Sequence, residues 1–194
     1  MEPVTLRSPR LLLRTVDASD ADAVYDACQD PDIQRWTTIP SPYRREHAES
    51  FIEQLAPDGW ADGSMFTFGA FLLDGGPGGS DLVAMLGITM RSLGTGEIGF
   101  WAAKQHRGNG YVTEAAVTVS RWAFTEIALD RMEWLAEVGN HGSRAVAERA
   151  GFTMEGTLRS GINNKGVRRD CWIGSLLPSD LGLRSTAPYV PARP

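Results

Sequence analysis

Cysteine is almost missing from this chain, with two thiols, Cys28 and Cys171, in 194 residues. Two residues so far apart make neither a disulfide framework nor a metal knuckle, so no metal site is expected and a reducing, cytoplasmic setting is the default. Basic residues are in deficit. There are 19 Lys plus Arg against 24 Asp plus Glu, for a net charge of -5 and a pI near 5.2. Neutralising many phosphates needs a surplus of cations, so broad nucleic-acid binding is not expected and any basic patch must be local. Long apolar runs are missing too: nothing approaches the ~18 apolar residues of a membrane helix. Residues 1–14 also lack an apolar core followed by a small-residue cleavage site. The chain is therefore expected to be neither secreted nor membrane-bound.

What is present suits one ordinary globular domain, at 42% hydrophobic and 22% charged residues. An apolar run at residues 11–15 predicts a strand, and Asp17 or Ser19 is placed to cap a helix carrying Ala23, Val24 and Ala27. Pro31, Pro40 and Pro42 punctuate the next stretch, which reads as a substrate-side lid. Phe51, Ile52 and Leu55 then predict a second helix over residues 46–55. Extended runs at 65–73 and 82–91 flank a Gly-rich connection at 74–80, which predicts an antiparallel pair. A turn at 93–96 leads into a third strand at 97–101.

Beyond Gly110 the period changes. Val112, Ala115, Ala116, Val119, Trp122 and Ala123 recur three and four apart and share one helix face, the strongest helical signal in the chain. Met132, Trp134, Ala136 and Val138 alternate with Arg131, Glu133, Leu135 and Glu137, the period of a strand. A helix over 143–150 and a hairpin of 153–160 with 167–176, joined through 161–166, complete the pattern. There is no internal repeat. The reading is one mixed α/β sheet in the order β-α-α-β-β-β-α-β-α-β-β, a domain at 1–177 and a Pro-rich tail at 178–194.

The segment from Gln105 to Tyr111, with Gly108 and Gly110, lies between a strand and the best helix. A Gly-rich turn at a helix N-terminus lets main-chain N–H groups close around an anion, and the helix dipole adds about half a positive charge. Lys104 and Arg107 reinforce an anion reading over a mere tight turn. A Walker loop would need Lys-Ser/Thr after the second glycine, and a dinucleotide fingerprint would need a third glycine; both are absent.

The spacing of Gln105, Gly108 and Gly110 resembles the coenzyme A pyrophosphate loop of the GNAT superfamily. Residues 110–116 and 97–101 are similar to the helix opening and preceding strand of its Rim-type branch, named for ribosomal-protein N-terminal acetyltransferases. Asn140, Ser143, Val146, Glu148, Gly151 and Phe152 match the family's second signature, and residues 6–14 also fit. The resemblance covers the chain to about residue 176. It implies the GNAT fold, a single mixed, mostly antiparallel twisted sheet flanked by helices. It also implies acetyl or short acyl transfer from acetyl-CoA or another acyl-CoA to a primary amine.

By resemblance, the amides from Arg107 through Gly108, Asn109 and Gly110 to Tyr111 hold the pyrophosphate, beside Gln105. The strand end at Trp101, Ala102 and Ala103 pairs with the pantetheine arm. Asn140 meets that arm or the transfer centre, where its plain alternative is a helix cap. Ser143 protonates the leaving thiolate, where its plain alternative is a first-turn hydroxyl. Glu97 is the candidate general base, acting through water on the incoming ammonium. His106 and His141 are read as exposed neighbours of the cofactor phosphates. Trp36 and Tyr43 either wall an acceptor slot or pack. No Gly-x-Ser-x-Gly elbow surrounds Ser143, so direct attack in a ternary complex is expected over an acyl-enzyme. Protein N-terminus and small-molecule amine stay open as acceptors, as does the oligomeric state, a homodimer included. The alternative from another class is a non-catalytic acyl-CoA-binding module.

Overall fold

The computed structural model describes residues 1–74, 82–92 and 94–192. Most of the Gly-rich connection at 74–80, and Leu93 of the turn at 93–96, lie outside the described residues. Eight strands form one sheet in the order β1-β2-β3-β4-β5-β6-β8-β7. They are β1 (Leu6–Arg7), β2 (Leu11–Arg14), β3 (Met65–Leu72), β4 (Leu82–Met90), β5 (Thr95–Ala102), β6 (Arg131–Glu137), β7 (Thr153–Asn164) and β8 (Val167–Leu176). Every neighbouring pair is antiparallel except β5 with β6. This is the mixed, mostly antiparallel sheet that the family resemblance implies. The extra strand is β1, too short at two residues to show a period.

Between β2 and β3 the chain makes α1 (Ala21–Ala27), α2 (Pro31–Trp36), α3 (Arg45–Ser50) and α4 (Ala56–Asp62), where two helices are expected. Asp17 does cap the entry, accepting from Ser19 N, while Asp20 closes a capping box behind it. The sequence reading takes Pro31 as a break; it instead opens α2, because a first-turn proline gives up an N–H that would have no helical partner, and Asp30 caps it. The helix expected over 46–55 runs on through a π turn, Phe51–Leu55, into α4. Pro57 cannot donate to the preceding turn and its ring crowds that turn's carbonyl, a misfit the wider turn absorbs. Leu55 is consequently off the packed face, at 56% exposure.

The sheet has two covered faces. On one, α5 (Tyr111–Glu126) and α6 (His141–Arg149) bury Val119, Ala123 and Ala147 against Leu86, Ile88, Ile98 and Trp134. Trp60 of α4 stacks edge-on with Phe66 and Phe68 and meets Trp122 of α5, with ring centroids 5.0 to 5.7 Å apart. On the other face, Val24, Ile33, Ala48 and Ile52 from α1 to the π turn cover Phe71, Leu82 and Met85.

The closing hairpin differs from expectation. Residues 161–164 belong to β7, and the turn is only Lys165 and Gly166, both left-handed at φ 53 and 79. Two positive-φ residues match the strands' right-handed twist, so a two-residue connection suffices. The Pro-rich tail begins with a short 3-10 turn, Pro178–Leu181, whose Leu181 packs on the core, and Asp130 accepts from Ser185, Thr186 and the Ala187 N–H.

Candidate active site

β5 and β6 run parallel for three positions, Thr95↔Arg131, Gly96↔Met132 and Glu97↔Glu133, and pair no further. Main-chain groups alternate sides along a ladder. The Ala103 N–H donates to Val83 O at 3.0 Å, so Ala103, Trp101 and Gly99 direct their main-chain groups toward β4. Phe100 and Ala102 direct theirs into the gap where β6 has peeled away. The strand end expected to meet the pantetheine arm therefore offers Phe100 and Ala102, a phase that periodicity alone does not assign. Ala103 is fully buried, and Trp101 contributes its side chain instead.

α5 begins at the mouth of that gap. Gly108 and Gly110 adopt φ 81 and 77, which L side chains disfavour. Among the described residues, the main-chain N–H groups of Gly108 to Thr113 meet no acceptor in the protein, leaving a run of donors at the positive end of a sixteen-residue helix. Arg107 does not add its charge to this nest. Its guanidinium lies 3.1 Å from Asp30, 3.3 Å from Asp32 and 3.3 Å from the Ala102 carbonyl. Gln105 and Asn109 sit outside the cavity lining, and Asn109 holds the loop from within through bonds to His106 O and Arg107 O.

Arg10 is a residue the sequence reading passed over. From the β1–β2 turn it donates to Asn109 O at 3.0 Å, pairs with Glu114 at 2.6 Å, and lies 4.6 Å over the Tyr111 ring. Ser8 and the Arg10 N–H also donate to Glu114. Burial alone would raise the Glu114 carboxyl, but these donors outweigh it and hold the group below its ordinary range. The hairpin thus pins the Gly108–Gly110 loop. The Pro-Arg pair inside the 6–14 match is the only sequence trace of it.

Across the gap, Asn140 caps α6 by accepting from Ser143 N at 3.2 Å. Ser143 Oγ in turn accepts from Trp134 Nε1 at 3.0 Å. The indole N–H occupies an oxygen lone pair and leaves the hydroxyl proton available, and withdrawal of electron density makes that proton easier to give up. Asn140 and Ser143 therefore have cap geometry and face the cavity at the same time.

Glu97 receives both Nη2 and Nε of Arg91 on Oε2, at 2.6 and 3.2 Å, leaving Oε1 for another partner. A second carboxylate, Glu137, was read only as the polar side of an alternating strand. That side faces the cavity, not solvent: Glu137 is 7% exposed and takes a bidentate pair from Arg35 of α2 at 2.6 and 2.9 Å. The Arg35 hydrogen bonds hold its carboxyl below the ordinary range against the effect of burial. The β7–β8 turn reaches the same helix end, with Lys165 Nζ donating to Gln34 O and Asn164 Nδ2 to Arg35 O.

One cavity of about 1020 Å³ joins these parts, lined by Glu97, Trp101, Ala102, Arg107, Gly108, Gly110, Tyr111, Asn140 and Ser143 among others. Trp36 and Tyr43 both line it; Tyr43 also packs, at 6% exposure. His106 and His141 line it as well, beside Tyr111 and Trp172. Burial pushes the Cys28 thiol up to about 12, and burial, then Glu97 and Asp170, raises Cys171; both stay protonated at neutral pH. Among the described residues, no group of three or more His, Cys, Asp or Glu side chains is placed to hold a metal, and no helix is long and apolar enough to cross a membrane.

The chain is 44% identical over 81 residues to Bacillus subtilis (strain 168) YdaF, a protein named after ribosomal N-acetyltransferases; this match covers 42% of the chain and spans 44% of that protein's length. It is 27% identical to the uncharacterized N-acetyltransferase p20 of Bacillus licheniformis, over 89% of this chain and 96% of that one. Its fold superposes on Mycobacterium smegmatis RimJ, solved in complex with CoA-disulfide, with a TM-score of 0.79 at 24% identity, covering 94% of this chain and 92% of that one. The model of the acetyltransferase (GNAT) domain matches residues 10–153. The splayed strands, the amide nest and the sequence matches agree, and the chain belongs to the acetyltransferase (GNAT) domain family.

Proposed function

We propose that this protein is an N-acyltransferase that moves an acetyl or similar short acyl group from acyl-CoA to a primary amine by direct attack. The observation that carries the reading is the single cavity linking the unpaired amides of residues 108–113 to Glu97 and Ser143 across the β5–β6 gap. Amides and helix dipole take the pyrophosphate, and the main-chain edge at Phe100 and the Ala102 N–H takes the pantetheine arm as an added strand, the Ala102 carbonyl being held by Arg107.

In this reading Glu97 accepts a proton from the incoming ammonium through water at Oε1. The amine nitrogen then bonds to the thioester carbonyl carbon, the C–S bond breaks, the thiolate takes the Ser143 proton, and the second proton of the nitrogen passes through water to the Ser143 oxygen and restores its hydroxyl. Asn140 positions Ser143 by capping its helix. Both thiols are held protonated, which favours direct transfer over an acyl-enzyme. Residues 1–177 would form the transferase domain, with residues 178–194 a tail docked at its start, in a cytoplasmic protein. The likeness to YdaF, whose name is that of a ribosomal N-acetyltransferase, supports a peptide α-amine as one acceptor class; small amines form the other.

The test is release of coenzyme A from acetyl-CoA over a mixed library of N-terminal peptides and small amines, with products read by mass spectrometry. Acetylated amines are the expected result. Tight acetyl-CoA binding with no product from any amine would replace the reading with a binding module.

A further inference from the structure

Glycine in the middle of an interior strand weakens a sheet and needs a reason. β5 is interior, yet its Gly99 is exposed, and a Cβ placed there would meet nothing within 4 Å. Its cross-strand partner is Gly87 on β4, which in turn pairs with Thr67 on β3. The row Thr67, Gly87, Gly99 is thus a strip of bare main chain two strands wide, roughly 5 Å per strand spacing. Met65, Met85 and Trp101 stand along it inside the cavity, and Glu97 stands two residues from Gly99.

Two further observations bear on what the strip receives. Thr67 is 3% exposed and its Oγ1 has no hydrogen-bond partner among the described residues, although the residue lines the cavity. A buried hydroxyl left unpaired costs stability, as a ligand-directed group would. The three carboxylates lining the cavity, Asp32, Glu97 and Glu137, are each paired with an arginine, Arg107, Arg91 and Arg35. Among the described residues each of these acids is charge-balanced by a guanidinium, which leaves little net negative charge to hold a polycationic amine.

We infer that the Gly87–Gly99 strip receives a flat apolar side group of the acceptor, so that the preferred acceptor is a monoamine carrying an aromatic or similar planar body, with Thr67 Oγ1 meeting a polar atom on it. This rests on the amine-transfer reading. The same chemistry is offered by a free arylalkylamine and by a peptide whose first residue is aromatic.

Gly99→Val tests it, since Gly99 has no positive φ, its Cβ position is open and β-branched residues suit strands; Gly99→Ala serves as the milder variant. The wild type should acetylate tyramine or a Tyr-initiated peptide with at least tenfold higher kcat/KM than spermidine or a Gly-initiated peptide. Which of the two aromatic substrates is turned over identifies the source. Gly99→Val should erase that preference while acetyl-CoA Kd is unchanged. Independently of turnover, titration with tyramine or the Tyr-initiated peptide should shift the methyl resonances of Met65 and Met85 in the wild type and not in Gly99→Val. Methyl shifts without acetylation would uphold the strip and sink the transfer reading. Acetylation with equal kcat/KM in wild type and Gly99→Val, or no methyl shift with either probe, would overturn the strip.

Discussion

Trp134 donates its indole N–H to Ser143 Oγ at 3.0 Å, tying a fully buried strand residue of β6 to the first turn of α6. Ser143→Ala leaves that N–H without its protein partner at the cavity wall, so a loss of about 1 kcal/mol of stability is expected alongside the loss of the proposed acid. Trp134→Phe keeps the Ser143 hydroxyl but removes its polarising donor. Both variants should lower kcat with little change in acetyl-CoA Kd, Ser143→Ala more. Full turnover by Ser143→Ala at its working temperature would reduce Ser143 to a cap residue.

Gly108→Val is expected to weaken acetyl-CoA binding at least tenfold, about 1.4 kcal/mol, by blocking approach to the amides. The positive φ at Gly108 adds backbone strain to any β-branched replacement. Gly108→Asn, which tolerates that conformation, separates the two effects, because its stability should stay near wild type while its affinity still falls. Calorimetric titration reads both.

Arg10→Gln should loosen the anion loop without touching the cofactor directly, raising KM for acetyl-CoA severalfold while kcat is held.

The same pairing shapes acid stability. Glu114 and Glu137 have carboxyls held below their ordinary value of 4.5, so the folded state binds fewer protons than the unfolded one. Their stabilising contribution is complete above that value and is lost as pH falls through the lower folded-state value. Melting temperature should therefore drop with falling pH below about 4.5, and Glu114→Gln should flatten that slope. Thermal melts from about pH 6 to 3 check it; an equal slope in wild type and variant would contradict the pairing.

Glu97→Gln should leave acetyl-CoA binding intact and shift the pH optimum of kcat upward, since only amine already deprotonated in solution would then react. An unchanged pH–rate profile would return Glu97 to its ion pair with Arg91 as its whole role.

The extent to which this architecture was legible in advance varies by element. The face of α5, the alternation of β6 and the Gln105 to Gly110 spacing are local patterns, carried by residues within one or two turns of each other. β1 and the length of β7 were not legible. A two-residue strand has no period, and residues 161–164 look like a loop until Lys165 and Gly166 supply a tighter turn. The helix opened by Pro31 was hidden because proline serves both as breaker and as first-turn residue.

By itself, the sequence determined the single mixed sheet, its family and the chain positions of the Gly108–Gly110 loop and the Asn140–Ser143 turn, because glycine, cap and period-3.6 signals act over short range. Only the tertiary structure decided what those residues meet. It turned Arg107 toward Asp30 and Asp32 instead of the loop, brought Arg10 across from a distant hairpin, and made Glu137 a buried partner of Arg35. It also assigned Phe100 and Ala102, not Trp101 and Ala103, to the open edge, and left Gly87 and Gly99 bare under the cavity. The physical reason is that strand phase, ion pairing and cavity shape depend on which distant segments share a sheet face, and no local pattern encodes that choice.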